Sequence, residues 1–158
     1  MKHSLETGLS FGTTSGVITT LGLLVGLSSG TGLKLAVVGG VLTIAVADAL
    51  SDALGIHISE ESEATHTPKQ IWASTLFTFV FKFLVASSFI LPVVLLRLSV
   101  AVFVSIIWGL FLLGLISFYL AFKQKASFWK VALEHWFVAF LVIISSHFLG
   151  GLINRIFT

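Results

Sequence analysis

Two aspartates lie within an otherwise apolar stretch of the sequence, and their spacing suggests a binding site for a cation. Asp48 and Asp52 are one helical turn apart, so in a helix they project from the same face, with Ser51 beside them. Two carboxylates on one face provide hard oxygen ligands for a divalent cation, or a relay for protons. The alternative is structural: one aspartate neutralises Lys82 on a neighbouring helix, and the other is hydrated.

A second group of polar residues follows directly after these aspartates. Residues 57–66 combine carboxylates with imidazoles, which together suit iron, manganese or zinc better than calcium. If the helix continues past the apolar stretch, His57 lies one turn before the first two glutamates, and Glu63 lies one turn before His66. The candidate ligands in this segment are His57, Glu60, Glu61 and Glu63. The alternative is an ordinary solvated acidic loop.

Polar residues in the spans are candidates for the lining of a pore: Ser15, Thr19, Ser51, Lys82 and Glu134. Ser15 and Thr19 carry hydroxyls that either line a polar path or bond back to the helix backbone. Glu134 is a candidate for extending the acidic site, whereas His147 fits an interhelical hydrogen bond better than a ligand role. Residues 26–30 match the Gly-x-Ser-x-Gly pattern of serine hydrolases, but an apolar helix precedes them where that motif needs a strand. We therefore expect no enzyme.

Composition defines the setting of these residues. The chain has 158 residues, of which 56% are hydrophobic and only 10% charged, and its mean hydropathy is +1.07. Soluble domains carry roughly 25% charged residues, so the sequence indicates an integral membrane protein in contact with lipid. Cysteine is absent, which excludes disulfides and thiolate sites. A net charge of +2 is too small for a nucleic-acid surface.

Five apolar stretches are long enough to cross a bilayer, which takes about 20 residues. They span residues 9–27, 33–56, 70–92, 98–121 and 130–153, and they predict an all-α bundle of five transmembrane helices in a single domain. Residues 57–69 form the acidic loop between the second and third spans. Thr67, Pro68 and Gln70 are typical of a capped helix start, which fixes the beginning of the third span.

Basic residues predict the orientation of the bundle. An odd number of spans places the two termini on opposite sides of the membrane. Five lysines fall on the amino-terminal side and three basic residues on the other, so we expect a cytosolic amino terminus and a cytosolic acidic loop. The lysines are Lys2, Lys69, Lys123, Lys125 and Lys130, and the residues on the other side are Lys34, Arg97 and Arg155. The sequence does not distinguish a plasma membrane from an organellar one.

Glycines in the first span recur every fourth residue, at Gly8, Gly12 and Gly16 and again at positions 22, 26 and 30. Such spacing lets helix backbones approach closely in lipid. It predicts either a homodimer with the first-span glycines at the interface or close packing between helices of one chain.

Two segments of the chain resemble the vacuolar iron transporter family. The first covers residues 12–27 and is centred on Thr14, Ser15, Gly16, Val17, Ile18 and Thr19; the second covers residues 47–63 and includes Ala49, Leu50, Ser51 and Gly55. The resemblance implies five membrane helices, a cytosolic amino terminus and a homodimeric pore that exchanges ferrous or manganous ions for protons.

The chain also departs from the pattern of that family. The family usually has an aspartate where this chain has Ser15, and a methionine where it has Asp52. The site thereby moves from mixed carboxylate and thioether ligands towards oxygen ligands alone. Plant and yeast-type members insert a helical metal-gathering domain after the second span, whereas this chain has only the acidic segment.

The leading hypothesis is a proton-coupled exporter of manganese or iron from the cytosol, working as a homodimer. Asp48 and Asp52 would carry the metal or its counter-protons, and the acidic segment would collect metal. One rival is a membrane scaffold or metal sensor that does not transport. The other is a proton-coupled carrier of another cation or solute, because Lys82 lowers the negative charge in the bundle.

Overall fold

The protein is an all-α bundle of five helices, each long and apolar enough to cross a membrane. A computed structural model describes residues 1–157. The helices are α1 (Lys2–Thr31), α2 (Lys34–Ser62), α3 (Pro68–Leu95), α4 (Leu98–Gln124) and α5 (Phe128–Phe157). The prediction of a multi-pass, all-helical membrane protein is confirmed.

The helices extend beyond the apolar stretches at most ends. The first begins at Lys2 rather than at residue 9, and the second continues to Ser62, so that residues 57–62 are helical and the connection to α3 is short. This corrects the expected loop over residues 57–69. An apolar stretch indicates the part of a helix that lies in lipid. The backbone hydrogen bonds of the helix continue beyond that stretch into the polar region.

Helix ends follow local sequence signals. Gly32 ends α1 in the left-handed conformation (φ 62°), and its N–H donates to the Ser28 carbonyl at 3.0 Å. Thr67 and Gln70 form the reciprocal capping box at the start of α3 with Pro68 in the first turn, as the sequence predicts. Local sequence therefore specifies both the end of α1 and the start of α3.

Helix α1 lies at the centre of the bundle and packs on α5, α3, α4 and α2. Its core residues Val17, Leu21 and Leu24 are almost completely buried and contact buried side chains of the other helices. Helix α2 packs mainly on α3 and leaves its opposite face uncovered. The middle of α1 therefore has close neighbours on several sides.

The glycines of α1 are covered by other helices of the same chain. A Cβ on Gly12 would lie 2.8 Å from the Thr78 carbonyl oxygen, and one on Gly16 would lie 3.1 Å from Val85. Gly8 is buried against the same helix, α3. This corrects the expectation that these glycines lie at a dimer interface: they allow α1 and α3 to approach closely within one chain.

Candidate functional site

Four polar side chains meet near the middle of the bundle. Lys82 is the 15th of the 28 residues of α3, Asp48 is the 15th of the 29 of α2, and Ser15 is close to the centre of α1. The Lys82 ammonium is fully buried, lies 2.6 Å from Asp48 Oδ2, and forms an ion pair with Asp52. It also donates a hydrogen bond to Ser15 Oγ at 3.0 Å. We call Ser15, Asp48, Asp52 and Lys82 the midplane cluster.

Backbone features place these residues together. The four-residue spacing of the two aspartates turns both towards α3, and a π-helical turn (Ile44–Asp48) in α2 ends at the first of them. On the other side, a Cβ on Gly12 would lie 3.2 Å from the Lys82 backbone nitrogen. The small residue therefore brings α3 close enough to α1 for Lys82 to reach Ser15. Such π-helical turns often occur at functional sites.

The two aspartates are held differently. Asp52 Oδ2 accepts hydrogen bonds from Ser15 Oγ, at 2.5 Å, and from Lys82. Asp48 Oδ2 is within ion-pair distance of Lys82 but accepts no hydrogen bond of good geometry, and the Asp48 side chain is 34% exposed against 21% for Asp52. Asp48 is thus the more weakly held carboxylate. Of the two aspartates, Asp52 therefore has the stronger contacts with Lys82.

Charge is unbalanced when every group in the midplane cluster is ionised. Two carboxylates then face one ammonium, which leaves a single negative charge near the middle of a low-dielectric bundle. Charges at that depth are costly unless they are paired. The cluster is therefore one positive charge short of balance.

Helix α3 also carries a row of buried polar residues that sequence reasoning did not single out. Ser74 and Thr78 precede Lys82 at intervals of four residues, and all three are completely buried. Neither hydroxyl oxygen has a hydrogen-bond partner among the described residues. Polar residues at helical spacing inside an apolar span could have revealed this row, which runs from the start of α3 to the midplane cluster.

Three predicted pore-lining residues lie outside the midplane cluster. The Thr19 hydroxyl donates to the Ser15 carbonyl of its own helix at 2.9 Å. Ser51 and Glu134 are exposed, on the uncovered face of α2 and on α5 respectively. Of the five residues predicted to line a pore, the structure brings together only Ser15 and Lys82.

The predicted metal ligands after Asp52 are separated as well. His57 Nδ1 is 2.9 Å from Thr75 Oγ1, and its ring packs edge-on against Trp72. These three residues line an open groove of about 300 Å³ between α2 and α3. His57 therefore belongs to this largely apolar groove rather than to the midplane cluster.

Among the three glutamates, only Glu60 is buried, and it contacts His3 at the start of α1. Glu61 and Glu63 are exposed. His3 was not a sequence candidate because nothing in the sequence connects it with a residue almost sixty positions away.

The other histidines make interhelical hydrogen bonds. His147 Nδ1 lies 2.7 Å from Ser29 Oγ, and His135 Nδ1 lies 2.7 Å from Ser117 Oγ. His147 thus has the interhelical role that its apolar setting suggests.

Comparison with known proteins adds no identification. No family model matches the chain, and no curated protein is similar enough to match it. Function is therefore inferred from the residues and the geometry of the chain itself.

Proposed function

We propose that this protein is a homodimeric, proton-coupled transporter that exports divalent metal ions, manganese or iron, from the cytosol. The observation that carries the proposal is the midplane cluster. Asp48 and Asp52 lie on one face of α2, at a depth where unpaired carboxylates are costly, and they share a single ammonium. Ionisable groups at that depth commonly mark an ion or proton pathway.

The cluster gives exchange a physical basis. A divalent cation that enters between the two carboxylates competes with the Lys82 ammonium and with any proton bound there. Because metal ligands must be deprotonated, loading of the metal releases protons from the site. Return of protons, or of the ammonium, to the carboxylates then releases the metal on the other side.

Contact between Ser15 and Asp52 supports the resemblance to vacuolar iron transporters. That family usually carries its carboxylate on the first helix, at the position of Ser15. Here the Asp52 carboxylate of the second helix reaches the Ser15 hydroxyl at 2.5 Å. In the proposed transporter, the Asp52 carboxylate of α2 would take the place of the aspartate that the family carries at the position of Ser15.

An uncovered face of α2 supports the homodimer. Six small exposed residues recur on it every four positions: Gly39, Thr43, Ala47, Ser51, Gly55 and Ser59. A Cβ on Gly39 or Gly55 would meet nothing within 4 Å. Small residues at this spacing allow close helix contact in lipid. We place the subunit contact on this face, where a second copy would also cover the partly exposed Asp48.

The proposed direction of export depends on a cytosolic amino terminus. Contacts of Glu6 with Lys123, and of His3 with Glu60, bring the start of α1 next to the ends of α4 and α2. Lys34, which donates to the Val94 carbonyl at 2.7 Å, lies at the opposite end. The lysine-rich end of the bundle is accordingly assigned to the cytosol.

A second candidate is favoured by Lys82 itself. Its ammonium already lies against both carboxylates, so a carrier of another cation or solute could use the same aspartates. The rival of a scaffold or sensor requires only that metal binds and does not move.

Uptake into liposomes separates these functions. Protein reconstituted with an imposed pH gradient should take up manganous ions, and ferrous ions should compete for the same uptake. Uptake of a different cation or solute in place of metal would favour the second candidate. Metal binding without uptake at any gradient would favour the scaffold or sensor.

A further inference from the structure

A second polar cluster lies at the end of the bundle, remote from Asp48 and Asp52. Glu60 near the end of α2, His3 at the start of α1 and His66 in the connection to α3 each offer one metal-ligating atom. These three atoms lie within 4.8 Å of one another. Glu60 follows Asp52 by eight residues, or about 12 Å along the helix. We call His3, Glu60 and His66 the surface triad.

Glu60 is unusual because its carboxylate is buried without a hydrogen bond. Only 5% of the residue is exposed, and neither carboxylate oxygen accepts a hydrogen bond from the described residues. The nearest polar contact is an ion-pair distance of 3.3 Å from Oε1 to His3 Nε2. Burial of a carboxylate in this way is expensive unless a positive charge joins it.

Two of the distances in the surface triad match the edges of a metal coordination polyhedron. His3 Nε2 lies 3.3 Å from Glu60 Oε1 and 3.1 Å from His66 Nε2. Ligand bonds of about 2.0–2.1 Å place neighbouring ligand atoms about 3.3 Å apart in a tetrahedron and about 2.9 Å apart in an octahedron. One ion therefore fits between these atoms with small adjustments of the side chains.

The histidine rings are oriented for coordination. His66 Nδ1 lies 3.1 Å from Thr65 Oγ1, and its Nε2 faces His3 Nε2 of the triad at 3.1 Å. Metal-bound histidines commonly have such a hydrogen bond on their second nitrogen. The His3 side chain is 56% exposed, so the site is open to solvent and to a further ligand such as water.

We propose that the surface triad binds a first-row transition-metal ion, with Zn²⁺ preferred over Ca²⁺ and Mg²⁺. Two imidazoles and one carboxylate with an open position form a ligand set that suits zinc and its neighbours, whereas calcium and magnesium prefer oxygen ligands alone. Bound metal would join the start of α1 to the end of α2 and to the connection that follows. This assignment does not depend on transport, because it uses none of the residues of the midplane cluster.

Cobalt binding tests the proposal directly. Purified protein in detergent micelles, carrying a carboxyl-terminal tag without histidines, is titrated with Co²⁺, whose visible absorption reports coordination. We expect one nitrogen-ligated site per chain, displaced by Zn²⁺ but not by millimolar Ca²⁺ or Mg²⁺, and present whether or not Asp48 and Asp52 are intact. Glu60→Gln and His66→Asn should each weaken Co²⁺ binding at least about 10-fold, since even the loss of a supporting partner costs that much.

Matched controls make the outcome decisive. Glu61→Gln removes an equal charge from the adjacent, exposed position and should leave the affinity unchanged. The Asp48→Asn, Asp52→Asn double variant should also keep the site, which separates it from the transport proposal. His66→Asn alters a partly exposed residue outside the helices and serves if Glu60→Gln fails to fold. Absence of cobalt binding in the unaltered protein, or equal binding in the triad variants and the Glu61 control, would overturn the assignment.

Discussion

Replacing Lys82 with methionine tests how tightly the midplane cluster is coupled to the fold. The side chain keeps a similar length, but the two carboxylates lose the ammonium that both contact. Removal of one partner from a buried ion pair costs about 3–5 kcal/mol. Since 1.4 kcal/mol corresponds to a factor of ten, the unfolding equilibrium should shift by roughly two to four orders of magnitude.

The assay is unfolding in mixed micelles of increasing dodecyl sulfate content, followed by circular dichroism. Lys69→Met, at an exposed position in the first turn of α3, should change stability by no more than about 0.5 kcal/mol. Adding Asp48→Asn and Asp52→Asn to Lys82→Met removes both unpaired charges, so the triple variant should regain most of the loss. If Lys82→Met is as stable as the Lys69 control, the three groups are not coupled as described.

Three further variants test other features of the bundle by the same unfolding assay, or by oligomer mass in micelles. Gly12→Leu should destabilise the protein by about 1–3 kcal/mol, because its Cβ would lie 2.8 Å from the Thr78 carbonyl oxygen; unchanged stability would contradict the close packing of α1 on α3. A Cβ at Gly55 would meet no atom within 4 Å, so Gly55→Leu should leave the fold intact but lower the dimer fraction, and an unchanged dimer would remove α2 as the interface. Ser15→Ala should cost about 1.5–3 kcal/mol, since a charge-assisted hydrogen bond to Asp52 is lost, and a smaller effect than in a Thr19→Ala control would argue against that bond.

The sequence predicted the helical architecture well because bilayer thickness imposes a simple length rule. Five apolar stretches became five helices, and the capping box at Thr67 and Gln70 was found where its residues predict it. Helix ends were less predictable. Residues 57–62 are polar enough for a loop, yet they continue α2 because nothing in them breaks the helix.

Contacts between distant residues could be predicted only in part. The spacing of Asp48 and Asp52, and the presence of a lysine inside an apolar span, indicated the midplane cluster from the sequence. The hydrogen bond between Ser15 and Asp52 depends on how α1 and α2 pack, which no local pattern specifies. The contact between His3 and Glu60 likewise depends on how α1 and α2 pack.

The glycine pattern of α1 shows another limit of sequence reasoning. Spacing of four residues predicts close helix contact but does not tell whether the partner helix belongs to the same chain. The structure fills that face with α3 and α5, and leaves the small residues of α2 uncovered. Which helix face remains uncovered depends on how all five helices pack together.

The central claim is that Asp48 and Asp52 couple metal movement to protons. The most direct measurement is manganous uptake into liposomes under an imposed pH gradient, with proton flux followed in parallel, for the unaltered protein and the Asp48→Asn, Asp52→Asn double variant. Glu61→Gln, which removes an exposed carboxylate near the end of α2, is the matched control. Metal uptake and its coupled proton flux should both be lost in the double variant and kept in the control. Unaltered rates and coupling in the double variant would show that the two aspartates are structural partners of Lys82 and that the proposed mechanism is wrong.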